Sequence, residues 1–142
     1  MRELLFVYGT LRDPDLFRLV TGRPLSTFSP RPFALAGWRV AKLKSAPFPV
    51  LARVLEARAP GLVIGPLAPV SIERLKRYEG PEYVLAPLRY LGIGERLAIF
   101  LPCVPLEMTG DDWELEAWTA EHKPAALAAI RRNPWLRAGR KP

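Results

Sequence analysis

Leu4-Leu5-Phe6-Val7-Tyr8-Gly9-Thr10-Leu11-Arg12 is the stretch from which the rest of the chain can be read. A run of consecutive apolar residues rich in β-formers, closed by a glycine, suits a buried strand. Gly9 then turns the chain. A strand entering such a turn presents successive backbone N–H groups, and these can form a concavity for a carboxylate or a developing oxyanion. Most glycine turns after strands are purely structural, so this segment alone names a candidate site and no function.

Downstream, Asp13-Pro14 places a capping carboxylate before a proline at the first helical position. Leu16, Leu19 and Val20 supply the apolar stripe of a short helix that should stop at Gly22. Pro24, Pro30 and Pro32 predict a loop, followed by a long strand over 33–43 that carries Trp38 and ends before Pro47 and Pro49. Residues 50–54 and 62–65 read as further strands, with Ala59-Pro60-Gly61 turning between them. Ser71, or Pro69 just before it, starts a helix through Ile72, Leu75 and Tyr78 that Gly80 and Pro81 stop. Residues 83–91 and 96–101 read as a strand pair joined by Gly92-Ile93-Gly94, Asp111-Asp112 as a helix start, and 124–132 as an Ala-rich helix.

Strands predominate up to Leu101 and helices after it, which predicts an α+β fold with a sheet or small barrel rather than a doubly wound one. The expected organisation is a single domain over residues 1–142, with a core of about 4–101 and a helical C-terminal extension of about 111–142. A chain of 142 residues with 49% hydrophobic content buries roughly 68–70% of its unfolded surface and needs neither disulfide nor structural metal to fold. Cys103, the single cysteine, has no second Cys or His beside it in Phe100-Leu101-Pro102-Cys103-Val104, so it reads as a small buried hydrophobe.

Composition removes several classes of function. The apolar runs are short and broken by proline, far below the roughly 20 residues that cross a bilayer, so no membrane association is expected. The N-terminus lacks the pattern of a secretory signal, which makes the cytoplasm the expected location. A net charge of +7 raises the question of nucleic acid. Yet Arg and Lys are spread along the chain, except for Arg131, Arg132, Arg137, Arg140 and Lys141 in the tail, and no row of stacking aromatics accompanies them. Absent Gln, a single Asn at Asn133 and many Arg and Pro fit a thermophilic or GC-rich source, which accounts for the charge without nucleic acid. The basic tail reads as a solvated end, with contact to an acidic partner or cover over a pocket mouth as alternatives. Trp113, Trp118 and Trp135 read as packing anchors. His122, the single histidine, lies in a polar helix approach, and Ser26, Ser29, Ser45 and Ser71 lack any nucleophile-elbow setting. Nothing specifies an oligomeric state.

The second informative segment is Leu75-Lys76-Arg77-Tyr78-Glu79-Gly80-Pro81-Glu82-Tyr83. Glu79 falls on the final helical turn, where converging carbonyls disfavour ionisation, as would burial against Tyr78 or Tyr83. A carboxyl so placed suits a general base near neutral pH. The structural alternative is an ion pair of Glu79 with Lys76 or Arg77. Glu82, the rival carboxylate, follows Pro81 outside the helix and reads as a solvated loop residue.

Taken together, Val7-Tyr8-Gly9-Thr10-Leu11-Arg12 and Glu79-Gly80-Pro81-Glu82-Tyr83 resemble the gamma-glutamylcyclotransferase-like family, with Pro49-Val50-Leu51 and Gly61-Leu62-Val63-Ile64 similar to its middle portion. The likeness spans about residues 4–101. It implies a small mixed β-barrel with surrounding helices and a cofactor-free, metal-free cyclisation that releases 5-oxoproline and a free amine from a small gamma-glutamyl substrate. By the same resemblance, Tyr8, Gly9, Thr10 and Leu11 would hold the glutamyl moiety through backbone amides, Glu79 would be the acid/base, and Tyr83 would line the pocket. The chain departs from the family's common pattern at Lys76, Ile64 and Leu85, where Asp, an aromatic and Arg are usual. A non-catalytic member that binds a small anionic metabolite or a protein partner is the alternative reading.

Overall fold

The N-terminal apolar run becomes β1 (Arg2–Val7), and the structure, a computed structural model that describes residues 2–92 and 95–137, extends its sheet to both sides of this strand. β1 pairs antiparallel with β3 (Pro49–Ile64) and parallel with β5 (Glu95–Pro102). Flanked on both edges and covered on both faces, Leu4 to Val7 are buried, which is why the run is apolar throughout and does not alternate. β2 (Arg31–Leu43) pairs with β3 and with β6 (Met108–Asp112), while β4 (Tyr83–Gly92) pairs with β5. The order is β4-β5-β1-β3-β2-β6. That order has two ends, so the six strands form an open mixed sheet, and "barrel" describes it only loosely.

α1 (Pro14–Thr21) begins as expected: the Asp13 carboxylate accepts from the Leu16 N–H at 3.0 Å, and Gly22 ends the helix in the left-handed region at φ 80°. Its inner face buries Leu16, Phe17 and Val20 completely, about 1.5–3 kcal/mol for each such side chain. α1 packs against α2 (Pro69–Glu79) and α4 (Lys123–Arg132), and α3 (Leu115–Glu121) packs against α4. The Lys123 ammonium reaches the Asp13 carboxylate at 2.9 Å, joining the C-terminal helix to the cap of the first. Among the described residues, no helix is long and apolar enough to cross a membrane.

Four expectations are corrected. The predicted turn at Ala59-Pro60-Gly61 lies inside the single long strand β3, because β2 pairs with it from Arg31 onward and carries the ladder across Pro60. Pro60 is tolerated there since β1 reaches only residues 62–64, leaving Pro60 a neighbour on one side only. Gly61 answers a close approach: a Cβ there would stand 2.7 Å from the Phe6 ring and would collide with the Val7 carbonyl. Pro32 likewise sits inside β2, away from the part of that strand which β6 covers.

Asp111-Asp112 ends a strand instead of starting a helix. Asp112 accepts from Arg39 Nε at 2.6 Å, a cross-strand ion pair on the sheet edge, and α3 starts only at Leu115. Cys103 is exposed, because β5 ends at Pro102 and the chain leaves the sheet there. Its Sγ lies 3.4 Å from the Pro81 carbonyl. The joint between β4 and β5 includes Ile93 and Gly94, and the basic tail includes Arg140 and Lys141; these residues lie outside the described ones.

Candidate active site

Tyr8 and Gly9 carry the chain from β1 into one turn of 3-10 helix, Thr10–Arg12. The Arg12 N–H bonds to the Gly9 carbonyl at 3.1 Å and the Asp13 N–H to the Thr10 carbonyl at 3.0 Å, which fixes the loop in a tight curl. A glycine fits because a Cβ at residue 9 would come within 3.1 Å of the Pro49 side chain. The Tyr8 hydroxyl donates to the Phe100 carbonyl at 2.6 Å, so its ring is clamped between β1 and β5. Burial, and then the nearby Glu79 and Tyr83, hold the Tyr8 hydroxyl well above the ordinary tyrosine range.

Glu79 is the last residue of α2, after which Gly80 turns the chain at φ 84° and bonds back to the Lys76 carbonyl at 3.0 Å. Neither predicted ion pair forms the main contact of its basic neighbours. Lys76 reaches Glu73 at 3.4 Å on the outer face of the helix, and the Arg77 guanidinium lies over the Trp135 ring at 4.6 Å. Burial pushes the Glu79 carboxyl up to about 7. One residue earlier, the Tyr78 hydroxyl and Thr10 Oγ1 lie 2.6 Å apart, fastening the end of α2 to the loop after β1.

These two segments face each other across a hollow of about 180 Å³. Tyr8, Gly9, Thr10, Leu11, Glu79 and Tyr83 all line it, so the structure brings together every residue that the resemblance assigned to the site. Phe6, Val7, Tyr78 and Phe100 complete the inner wall, and Phe48-Pro49 the outer one. The Tyr83 hydroxyl is buried here without a hydrogen-bond partner, and burial followed by Glu79 and Glu82 pushes it up to about 12. A carboxyl that titrates near neutrality, set against a curl of backbone amides in an apolar hollow, can move a proton beside an atom that develops negative charge.

Sequence reading set Tyr78 against Glu79 but missed its bond to Thr10, and it missed Phe48. Both depend on long-range contacts: the Tyr78 hydroxyl meets Thr10, and Phe48 lies between the paired strands β2 and β3, where Trp113 holds the preceding residue. The departures Lys76, Ile64 and Leu85 are not walls of the hollow: Lys76 is on the surface, Ile64 is in the core, and Leu85 lies behind the site with Glu3, Leu67, Ile72 and Leu75. Glu3 is answered there by Arg96, at 2.6 and 2.9 Å. Of the cations that would replace an Arg at Leu85, Arg12 does not line the hollow and is half-buried, with burial lowering its pKa. The Arg89 side chain lies outside the described residues. Glu82 is exposed, as expected, and His122 lies on the surface.

Comparison with known proteins gives a family and a shared fold. Residues 5–130 match the family described as Gamma-glutamyl cyclotransferase, AIG2-like, a span that also takes in β6, α3 and most of α4. No curated protein matches the chain. Two solution structures from Arabidopsis thaliana share the fold. At3g28950.1 has a TM-score of 0.55 and 19% identity, over 93% of this chain and 81% of the other. At5g39720.1 has a TM-score of 0.55 and 22% identity, over 92% of this chain and 89% of the other.

Proposed function

Because the chain belongs to the AIG2-like gamma-glutamyl cyclotransferase family, we propose that it cyclises a gamma-glutamyl amine or dipeptide in this hollow, releasing 5-oxoproline and a free amine. The observation that carries the reading is Glu79, a carboxyl raised to about 7, sharing one cavity with the loop of residues 8–11.

The substrate supplies its own nucleophile. Its α-amine attacks its γ-carbonyl carbon, forming the ring C–N bond, so proximity within one molecule replaces a covalent enzyme intermediate. Glu79, ionised, takes the proton that the attacking nitrogen must lose. The backbone amides after β1 receive the negative charge that appears on the carbonyl oxygen. Glu79 then gives the proton to the departing nitrogen, the old C–N bond breaks, the carbonyl re-forms, and the carboxylate is regenerated. Every bond made and broken is balanced without cofactor, metal or external water. Tyr83, its hydroxyl unpartnered, is placed to donate to the substrate from the same wall.

The test is incubation of the purified protein with a panel of gamma-glutamyl amines and gamma-glutamyl dipeptides, with 5-oxoproline as the readout. Its release from at least one compound supports the reading. Absence of release across the panel contradicts it and leaves the non-catalytic binding role.

A further inference from the structure

We propose that the turn at residues 44–48 is the wall that selects the leaving amine, with Phe48 as its specificity-determining residue and Trp113 as the positioning residue that holds it. This rests on the cyclotransferase reading of the same hollow and extends it to the part of the substrate that departs.

Phe48 differs from the other walls in exposure. It is 42% exposed, whereas Phe6, Val7, Tyr8, Thr10, Leu11, Pro49 and Phe100 are buried and the remaining walls only partly open. It therefore stands at the mouth. A glutamyl group seated against residues 8–11, with its γ-carbonyl carbon in reach of Glu79, directs the amine portion outward past this ring. The aromatic face and the adjoining Pro49 reward an apolar amine substituent with contact area. A leaving group that ends in a carboxylate brings a second negative charge toward Glu79 and gains nothing from the ring.

The turn is held at both ends by the segment around β6. The Trp113 indole Nε1 donates to the Pro47 carbonyl at 2.7 Å, and the Trp113 N–H bonds to the Val40 carbonyl at 2.9 Å. At the other end, the Lys44 N–H bonds to the Glu107 carbonyl at 3.0 Å. Trp113 itself is buried, its ring centroid 6.5 Å from that of Trp118. Pro49, next to the turn, sits hard against Gly9 of the amide loop. The Trp113 bond to Pro47 thus sets where Phe48 stands relative to the place of reaction, although Trp113 touches no substrate.

The experiment compares kcat/KM for gamma-glutamylbenzylamide and gamma-glutamylglycine in wild type, Phe48→Ala, Phe48→Leu and Trp113→Phe, each checked for fold by circular dichroism. Wild type should prefer the benzylamide. Phe48→Ala should lower that preference about tenfold, and Phe48→Leu should keep most of it. Trp113→Phe, which retains an aromatic ring and loses the N–H, should lower the preference in the same direction. A preference unchanged in Phe48→Ala, or a wild type that favours gamma-glutamylglycine, overturns the proposal while leaving the cyclotransferase reading intact. A preference unchanged in Trp113→Phe overturns the role of Trp113. Release of 5-oxoproline from neither compound, nor from any other gamma-glutamyl compound, overturns the cyclotransferase reading and this proposal with it.

Discussion

Thr10 Oγ1 and the Tyr78 hydroxyl stand 2.6 Å apart, joining the loop after β1 to the last turn of α2 one residue before Glu79. This bond spans 68 residues of sequence and sets the distance between the amide curl and the carboxyl. In Tyr78→Phe the Thr10 hydroxyl loses its partner, which should cost about 1 kcal/mol in urea denaturation. Loss of register between loop and helix should lower kcat by about tenfold or more, since small misplacements of reacting groups are expensive. A kcat equal to wild type would show that the bond serves stability alone.

The raised pKa of Glu79 fixes the sign of two pH effects. As a base it must be ionised, so kcat/KM should rise with pH through about 7 and continue rising at higher pH as the substrate amine, held protonated by its neighbouring carboxylate, loses its proton. For stability the direction reverses. The folded chain holds a proton up to about 7 that the unfolded chain releases near 4.5, so rising pH weakens the fold between those values, by about 3 kcal/mol at most. Glu79→Gln should consequently be more stable than wild type at pH 8 and show no advantage at pH 4. Urea denaturation at these pH values checks this; an equal difference at both would contradict the burial of the carboxyl.

Tyr83→Phe should separate stability from activity. Its hydroxyl is buried without a partner, and an unsatisfied buried hydroxyl costs about 1–3 kcal/mol. Removing it should raise the melting temperature. If the same hydroxyl meets the substrate, kcat/KM should fall about tenfold. Thermal unfolding and steady-state kinetics on one preparation measure both; a fall in melting temperature would mean that the hydroxyl is satisfied in the folded protein.

Gly61→Ala tests the central packing. The added methyl would collide with the Val7 carbonyl and press within 2.7 Å of the Phe6 ring, neither of which can withdraw from the middle of the sheet. The expected destabilisation is about 3 kcal/mol or more, read from the urea midpoint. Gly110→Ala, where a Cβ meets nothing within 4 Å, should change the midpoint little.

Much of this architecture is legible locally. The apolar run of β1, the Asp13 cap with Pro14, and the Gly80 stop after Glu79 are each decided by a few neighbouring residues, and the structure agrees with all three. The failures are long-range. Ala59-Pro60-Gly61 has the composition of a turn, and only the pairing with β2 keeps it extended. Asp111-Asp112 has the composition of a helix cap, and Arg39, 73 residues away, draws Asp112 into a strand pair instead. Cys103 follows an apolar run, but the sheet has already ended. The same division holds in the site. Residues 8–11 and 79–83 are marked by a glycine turn after a buried strand, a carboxyl at a helix end and the family resemblance these segments carry, whereas Phe48 belongs to the hollow through a tertiary bond made by Trp113 to the preceding residue.

Proton transfer by Glu79 is tested most directly by the initial rate of 5-oxoproline release from one accepted gamma-glutamyl compound, compared between wild type and a folded Glu79→Gln variant. Loss of a positioned acid/base should slow the variant by about 10²–10⁴-fold. Equal rates would contradict the assignment and leave residue 79 as no more than a wall of the hollow.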